Sequence, residues 1–132
     1  MDKLIHHIEH LSGLHFTGGV TSEEISDAEI ALNLTFAEDY KLYLSKFGQI
    51  EADGVELSGI SNKRLTSVVL LTQNERKLLA IPPKHYVIES IGVDGLIYTQ
   101  DATGAVFQLL PNKSVVKVAD SLLQYIDSIN NK

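Results

Sequence analysis

The sequence predicts an α+β fold, with N-terminal helices, a mainly antiparallel β-sheet meander and a C-terminal helix packed on the sheet. Three observations lead to this prediction. Apolar residues recur at helical spacing in the first third, short β-like runs separated by turn residues follow, and the last segment returns to helical spacing. The length of 132 residues corresponds to one domain, of which residues 1–20 form an N-terminal helix and loop.

The first helix is predicted at residues 2–11, and glycines mark the loop that follows it. Its apolar residues at helical spacing are Leu4, Ile5, Ile8 and Leu11. The next helix begins at a capping box, in which the Thr21 hydroxyl accepts from the Glu24 amide and the Glu24 carboxylate reaches back. The predicted core residues of this second helix are Ile25, Ala28 and Leu32, with Ile30 as a further candidate.

A third helix is predicted at residues 37–47, and Gly48 suits the position that follows its end. One face of it carries apolar and aromatic residues, which are core residues by their spacing: Phe36, Tyr40, Tyr43, Leu44 and Phe47. A fourth helix is predicted at residues 66–79. Pro82-Pro83 prevents its continuation.

The β part begins at Asp53-Gly54, a hairpin turn signal followed by alternating residues. Four strand-like runs come later, at residues 86–89, 96–100, 105–110 and 114–118. The links between the runs are too short for parallel crossovers, so antiparallel pairing is expected. Turn residues occupy these links, at Asp94-Gly95, 101–104 and 111–113. Asp120 or Ser121 caps the last helix, whose inward residues are predicted to be Leu122, Leu123, Ile126 and Ile129.

Negative charge is concentrated between residues 21 and 56, where nine acidic residues face two lysines, while the whole chain has a formal net charge of −6. Such a local field attracts basic partners and repels nucleic acid and anionic membranes. Five of these acids lie in or near first helical turns, where helix electrostatics explain them, and a sixth lies within a helix. The remaining three, Glu51, Asp53 and Glu56, lie on or beside an exposed turn, and we predict that they bind a partner.

A histidine-rich segment, HHIEH at residues 6–10, matches the H-x-x-E-H pattern of inverted zinc proteases. A catalytic zinc ion needs a third protein ligand, for which His15, Glu23 or Glu24 are the candidates. The segment lies close to a chain end in a chain that is short for a protease. A polar, histidine-rich helix face is therefore the favoured interpretation, and we expect no metal and no cofactor.

Other functional classes find little support in the sequence. No cysteine occurs, which excludes disulfides, thiolate metal sites and cysteine nucleophiles. Nucleophile-elbow and phosphate-binding motifs are absent, and His85 has no obvious partner. No secretion signal or membrane-length apolar run is visible, so the cytoplasm is the expected location. We expect no enzyme activity, and no binding to nucleic acid or membrane.

Three segments carry a family resemblance. Residues 29–40 read EIALNLTFAEDY and are followed by Leu44 and Phe47-Gly48; residues 86–98 read YVIESIGVDGLIY and close with Asp101 and Gly104; residues 118–122 read VADSL. In this order they resemble the SUKH superfamily, which includes bacterial immunity proteins and fungal regulators of cell-wall synthesis. The resemblance covers about Thr21 to Ile129, so the chain resembles a single SUKH domain.

Two positions depart from the family pattern. Asn33 stands where glycine is usual, and asparagine tolerates positive φ, so the turn can survive. Ala37 stands where proline is usual, although Glu38 and Asp39 still complement the helix dipole.

The resemblance implies an intracellular immunity protein that occludes a toxin, often a nuclease, without chemistry of its own. A basic toxin surface would suit the acidic segment, because complementary charge accelerates association. We expect the chain itself to be a monomer or a weak homodimer. The alternatives are a regulatory scaffold of the fungal type and, more remotely, a zinc-dependent hydrolase that uses His6, Glu9 and His10.

Overall fold

The computed structural model describes residues 2–61, 67–78, 81–90, 96–110 and 114–130. Within them lie five helices: α1 (Asp2–Glu9), α2 (Ser22–Leu32), α3 (Glu38–Phe47), α4 (Val68–Leu78) and α5 (Leu122–Asn130). The strands are β1 (His15–Phe16), β2 (Ile50–Ala52), β3 (Val55–Glu56), β4 (Tyr86–Ser90), β5 (Ile97–Gln100), β6 (Val106–Leu109) and β7 (Val115–Ala119). The predicted α+β fold is confirmed.

The strands form two antiparallel sheets, one ordered β1-β2-β3 and the other β4-β5-β6-β7. The larger sheet is the predicted meander, and each of its strands begins and ends within one residue of the predicted run. Strand β1 was not predicted, because its two residues fall in a segment that glycines mark as a loop. The predicted turns at Asp94-Gly95 and 111–113 lie outside the described residues.

Helix α2 begins and ends as its sequence predicts. Thr21 Oγ1 accepts from the Glu24 amide, and the Glu24 carboxylate accepts from the Thr21 amide, so the capping box is confirmed. At the other end Asn33 has φ = 54°, the left-handed conformation expected of a residue replacing glycine. The expectation for Ile30 was wrong: its side chain is 74% exposed, because it points away from the face that carries Ile25 and Leu32.

The main core lies between α3 and the larger sheet. Phe36 packs edge-on against Tyr86, with ring centroids 4.7 Å apart, and Tyr40 lies 4.9 Å from Tyr86. The tyrosine hydroxyls are also satisfied, since Tyr40 and Tyr43 both bond to Ser58. The α3 aromatics are therefore core residues, as their spacing predicts.

The last helix packs beside α1 and across β3 and β7. Ser121 caps it, since its Oγ accepts from the Gln124 amide at 3.1 Å. Leu122 and Ile126 are buried, and Leu123 and Ile129 pack partly buried against the core, as predicted. No helix in the described part of the chain has the length and apolar content to cross a membrane.

Candidate protein-binding surface

The predicted site residues lie on the hairpin formed by β2 and β3. Glu51 of β2 is directly opposite Glu56 of β3, and His15 of β1 is directly opposite Glu51. Residues in register on adjacent strands share a face of the sheet. The structure therefore brings Glu51 and Glu56 together on one exposed face, beside His15.

The third predicted residue, Asp53, lies at the tip of the same hairpin, where Gly54 takes φ = 80°. The Asp53 amide donates to the Ser12 carbonyl at 2.9 Å, which ties the hairpin to the loop after α1. The Asp53 carboxylate lies over Gly13, where an added Cβ would come within 2.5 Å of Asp53 Oδ1. Gly13 has φ = 71°, a backbone conformation that favours glycine, and a larger residue there would displace the Asp53 carboxylate.

None of these three carboxylates forms an ion pair with another described residue. All three side chains are exposed. Two like charges directly opposite each other on adjacent strands destabilise the pair. A cation from outside the chain would remove the repulsion between Glu51 and Glu56.

A buried carboxyl lies beneath this surface, and sequence reasoning missed it. Glu89 on β4 is only 5% exposed. One of its oxygens accepts from the Glu56 amide at 2.9 Å, and the other accepts from the Tyr125 hydroxyl of α5. Burial raises the pKa of Glu89, and the nearby Glu56 charge adds to the increase, while the two hydrogen bonds oppose it. Glu89 thus joins β3, β4 and α5, directly below Glu56.

Two acids of α2 and α3, Asp39 and Glu29, have partners within the fold. Asp39 on α3 accepts from the Gln100 side chain at 3.0 Å and from the Leu122 amide at 2.8 Å, so it caps α5 across the molecule. Glu29 accepts from the Phe36 amide at 2.8 Å and lies 3.7 Å from Lys41. Local helix electrostatics, the explanation predicted for Asp39, therefore account for only part of its role.

The histidine-rich helix face shows a local arrangement. His10 Nδ1 bonds to the His6 carbonyl at 2.8 Å, and the two rings lie 4.2 Å apart. His7 faces α5 instead, with its Nε2 3.8 Å from Asp127. Within the described ranges, no group of three or more His, Asp or Glu side chains could hold a metal ion. The proposed third ligands for zinc, His15, Glu23 and Glu24, do not complete a site with His6 and His10.

An open groove of about 940 Å³ lies between α1 and α5, bordered by His7 and Asp127. None of the three hairpin acids lines it. His85, expected to lack a partner, has one: its Nδ1 lies 2.8 Å from Thr99 Oγ1, and its ring packs on Phe107. Burial lowers the pKa of His85, and the described contacts give it a structural role.

Comparison with known families supplies the assignment. The family model SUKH_5, described as SMI1-KNR4 cell-wall, matches residues 1–131. The chain belongs to the SUKH_5 family. The match confirms the superfamily resemblance and extends it over the N-terminal helix. A search of curated proteins finds no match to this SUKH_5 chain.

The two departures from the SUKH pattern now have structural explanations. Ala37 has φ = −64°, a value that proline also takes, so the backbone keeps the expected entry into α3. Its amide donates to the Tyr86 hydroxyl at 2.9 Å, a bond that proline could not make. Asn33 keeps the left-handed turn that glycine would supply. Both departures in this SUKH_5 chain thus keep structural roles.

Proposed function

We propose that this SUKH_5 chain is an immunity protein that binds a nuclease-type toxin through Glu51, Asp53 and Glu56. The observation that carries the proposal is the exposed Glu51–Glu56 pair, which forms no ion pair with any described residue. The acids elsewhere on α2, α3 and β4 that stabilise the fold have partners inside it. The hairpin pair forms no ion pair within the described part of the chain, and a basic protein surface would provide one.

The mechanism would be occlusion. Nuclease toxins present basic surfaces to their substrates, and an acidic protein seated on such a surface excludes nucleic acid without any chemistry of its own. The acidic field of residues 21–56 would accelerate the encounter, and the hairpin would make the contact. The chain would act inside the cell that produces the toxin, where neutralisation is needed.

Co-expression with a nuclease toxin domain, taken from an adjacent gene where gene context supplies one, tests the proposal. We expect this chain to rescue growth and to co-purify with the toxin. Failure of both would contradict the proposal. The binding face is tested separately by the triple variant Glu51→Lys, Asp53→Lys and Glu56→Lys, whose association rate with the toxin should fall by about tenfold or more at low salt.

A charge-matched control distinguishes the effect of the hairpin acids on the association rate from the effect of the net charge of the chain. Lysines in place of the exposed Glu23, Asp27 and Glu38 also bring the formal net charge from −6 to zero. We expect this control to retain most of the association rate, because those acids lie away from the hairpin on α2 and α3. Equal losses in the two variants would mean that net charge, and not the hairpin, directs binding.

A second candidate is a regulatory scaffold, which the words "cell-wall" in the family description favour. In that case the hairpin would bind a signalling protein. Gene context separates the two functions, because an adjacent gene for a large secreted toxin supports immunity and its absence supports the scaffold.

A further inference from the structure

The two edges of the larger sheet differ in how the fold treats their backbone groups. The outer edge of β4 is satisfied from within the chain: Ser58 N donates to the Ile88 carbonyl at 2.7 Å, and Ser58 Oγ donates to the Val87 carbonyl at 2.7 Å. The Val87 amide in turn donates to Thr72 Oγ1 of α4 at 2.9 Å. This edge is closed to another strand.

The opposite edge, β7, is open. Outside its ladder with β6, no described segment makes a hydrogen bond to the backbone of Val115, Val116, Lys117 or Val118. The bond from the Leu110 amide to the Ser114 carbonyl makes that pair a hydrogen-bonded one. Opposite residues of antiparallel strands alternate between hydrogen-bonded and non-hydrogen-bonded pairs, so Val115 and Lys117 form non-hydrogen-bonded pairs with β6. Their backbone amide and carbonyl groups therefore face away from the sheet.

Apolar side chains accompany this open backbone. Val115, Val116 and Val118 are 44%, 44% and 42% exposed. An exposed edge strand rich in valine is a template for pairing with another strand. The edge carries one charge, Lys117, whose Nζ lies 2.5 Å from Asp120 Oδ1 of the same chain.

We propose that β7 pairs antiparallel with β7 of a second copy of this chain, in the register that places Val116 opposite the partner's Val116. The outward-facing groups of Val115 then bond to those of the partner's Lys117, and the reverse pair is identical by symmetry. The two sheets become one continuous eight-stranded sheet across the two-fold axis.

The charge distribution favours a second copy at this edge. Two copies with net charge −6 repel each other, yet residues 114–119 contain one lysine and no acid. The register centred on Val116 sets each lysine opposite a valine, whereas the register centred on Lys117 would oppose two lysines directly. Two copies that meet at residues 114–119 therefore bring no carboxylates of these segments together.

The contact is short, which makes the dimer weak. Val118 is the extra residue of a bulge, since Val106 pairs with Ala119 while Phe107 pairs with Lys117. Only Val115–Lys117 runs straight enough to pair, so the interface falls below the roughly 800 Å² per partner of stable complexes. The dimer should therefore form at high protein concentration and dissociate on dilution.

Disulfide trapping tests the register, because the chain has no native cysteine. In the proposed register residue 116 forms a non-hydrogen-bonded pair with itself, with Cα atoms about 4.5 Å apart, which a disulfide can span. Under mild oxidation Val116→Cys should form a covalent dimer faster than Val115→Cys or Lys117→Cys. The collision control is Ile30→Cys, on a helix position that is 74% exposed. A Val116→Cys rate no greater than that of the control, or fastest trapping at position 115 or 117, overturns the proposal.

Sedimentation velocity over a range of concentrations tests the unmodified chain. We expect reversible dimerisation that Val116→Lys abolishes, because two lysines would then face each other at the two-fold axis. The matched control, Ile30→Lys, should dimerise as the unmodified chain does. Circular dichroism and urea unfolding verify that both variants fold. An unmodified chain that stays monomeric at its highest soluble concentration contradicts the proposal, and lower toxin affinity of Val116→Lys in that situation would assign β7 to a partner protein instead.

Discussion

Two groups of carboxylates in this molecule differ in their hydrogen-bond and ion-pair partners. Asp39, Glu29 and Glu89 each accept a backbone amide, and each also bonds or pairs with a second group. Glu51 and Glu56 are exposed and face each other across the hairpin, and neither forms an ion pair with a described residue.

The difference separates acids that stabilise the fold from acids that are available to a partner. A carboxylate that accepts a buried amide cannot be removed without leaving that amide unsatisfied. A carboxylate that only faces another carboxylate can be removed with no loss, and even with a gain, in the free energy of unfolding. Stability measurements can therefore test this division before any partner is known.

The largest effect is expected from Asp39→Ala. The substitution leaves the Leu122 amide and the Gln100 side chain without their acceptor, so the free energy of unfolding should fall by about 2–3 kcal/mol. Urea unfolding measures it. The neighbouring Glu38→Ala is the matched control, because Glu38 is exposed and only pairs with Lys41, and it should change the free energy by less than about 0.5 kcal/mol. Similar losses in the two variants would refute the long-range cap.

The next effect is pH-dependent and concerns Glu89→Gln. The pKa of Glu89 is raised in the folded chain, so the folded state holds this proton more tightly than the unfolded state does. The contribution of Glu89 to stability is therefore fully present below its ordinary pKa of 4.5 and is lost as pH rises through the raised value. Glutamine does not titrate, so the stability of the variant relative to the unmodified chain should increase as pH rises above 4.5.

Urea unfolding across that pH range measures the relative stability of the two proteins, and carbon NMR titration of the Glu89 carboxyl measures its pKa. Glu56→Gln sharpens the test, because it removes a negative charge that raises the pKa of Glu89. The pKa should fall in that variant. A stability difference between Glu89→Gln and the unmodified chain that stays constant with pH would show that the carboxyl does not titrate abnormally.

The smallest effect, with the opposite sign, is expected from Glu51→Lys. This change replaces a like-charge cross-strand pair with an opposite-charge pair, and it should stabilise the chain by about 0.5 kcal/mol at low salt. The double variant Glu51→Lys and Glu56→Lys restores repulsion and should lose that gain. Destabilisation by the single change would place Glu51 among the acids that hold the fold together.

Local patterns predicted most of the fold because local chemistry determines it. The Thr21 capping box, the left-handed Asn33 and the four strands of the larger sheet all depend on residues near one another in sequence. Strand β1 escaped prediction because two residues cannot show alternation, and it exists only because His15 and Phe16 pair with β2.

The roles of Asp39 and Glu89 could not be predicted because they depend on contacts between distant segments. Asp39 accepts a hydrogen bond from Leu122, 83 residues away in sequence, and Glu89 accepts one from Tyr125, 36 residues away. Nothing in the sequence around Glu89 separates a buried acid from an exposed one in a strand-like run. The hairpin acids could be predicted as a binding site because no helix end or other local structure explains their charge.

The cap on α5 also limits how the chain can be divided. Any cut between residues 40 and 121 leaves Asp39 on one fragment and the first turn of α5 on the other. Neither fragment then has both the acceptor and the amide that it satisfies. Fragment complementation would therefore have to assemble the helix cap between two molecules, so the ordering of α5 would report on whether the two fragments had come together.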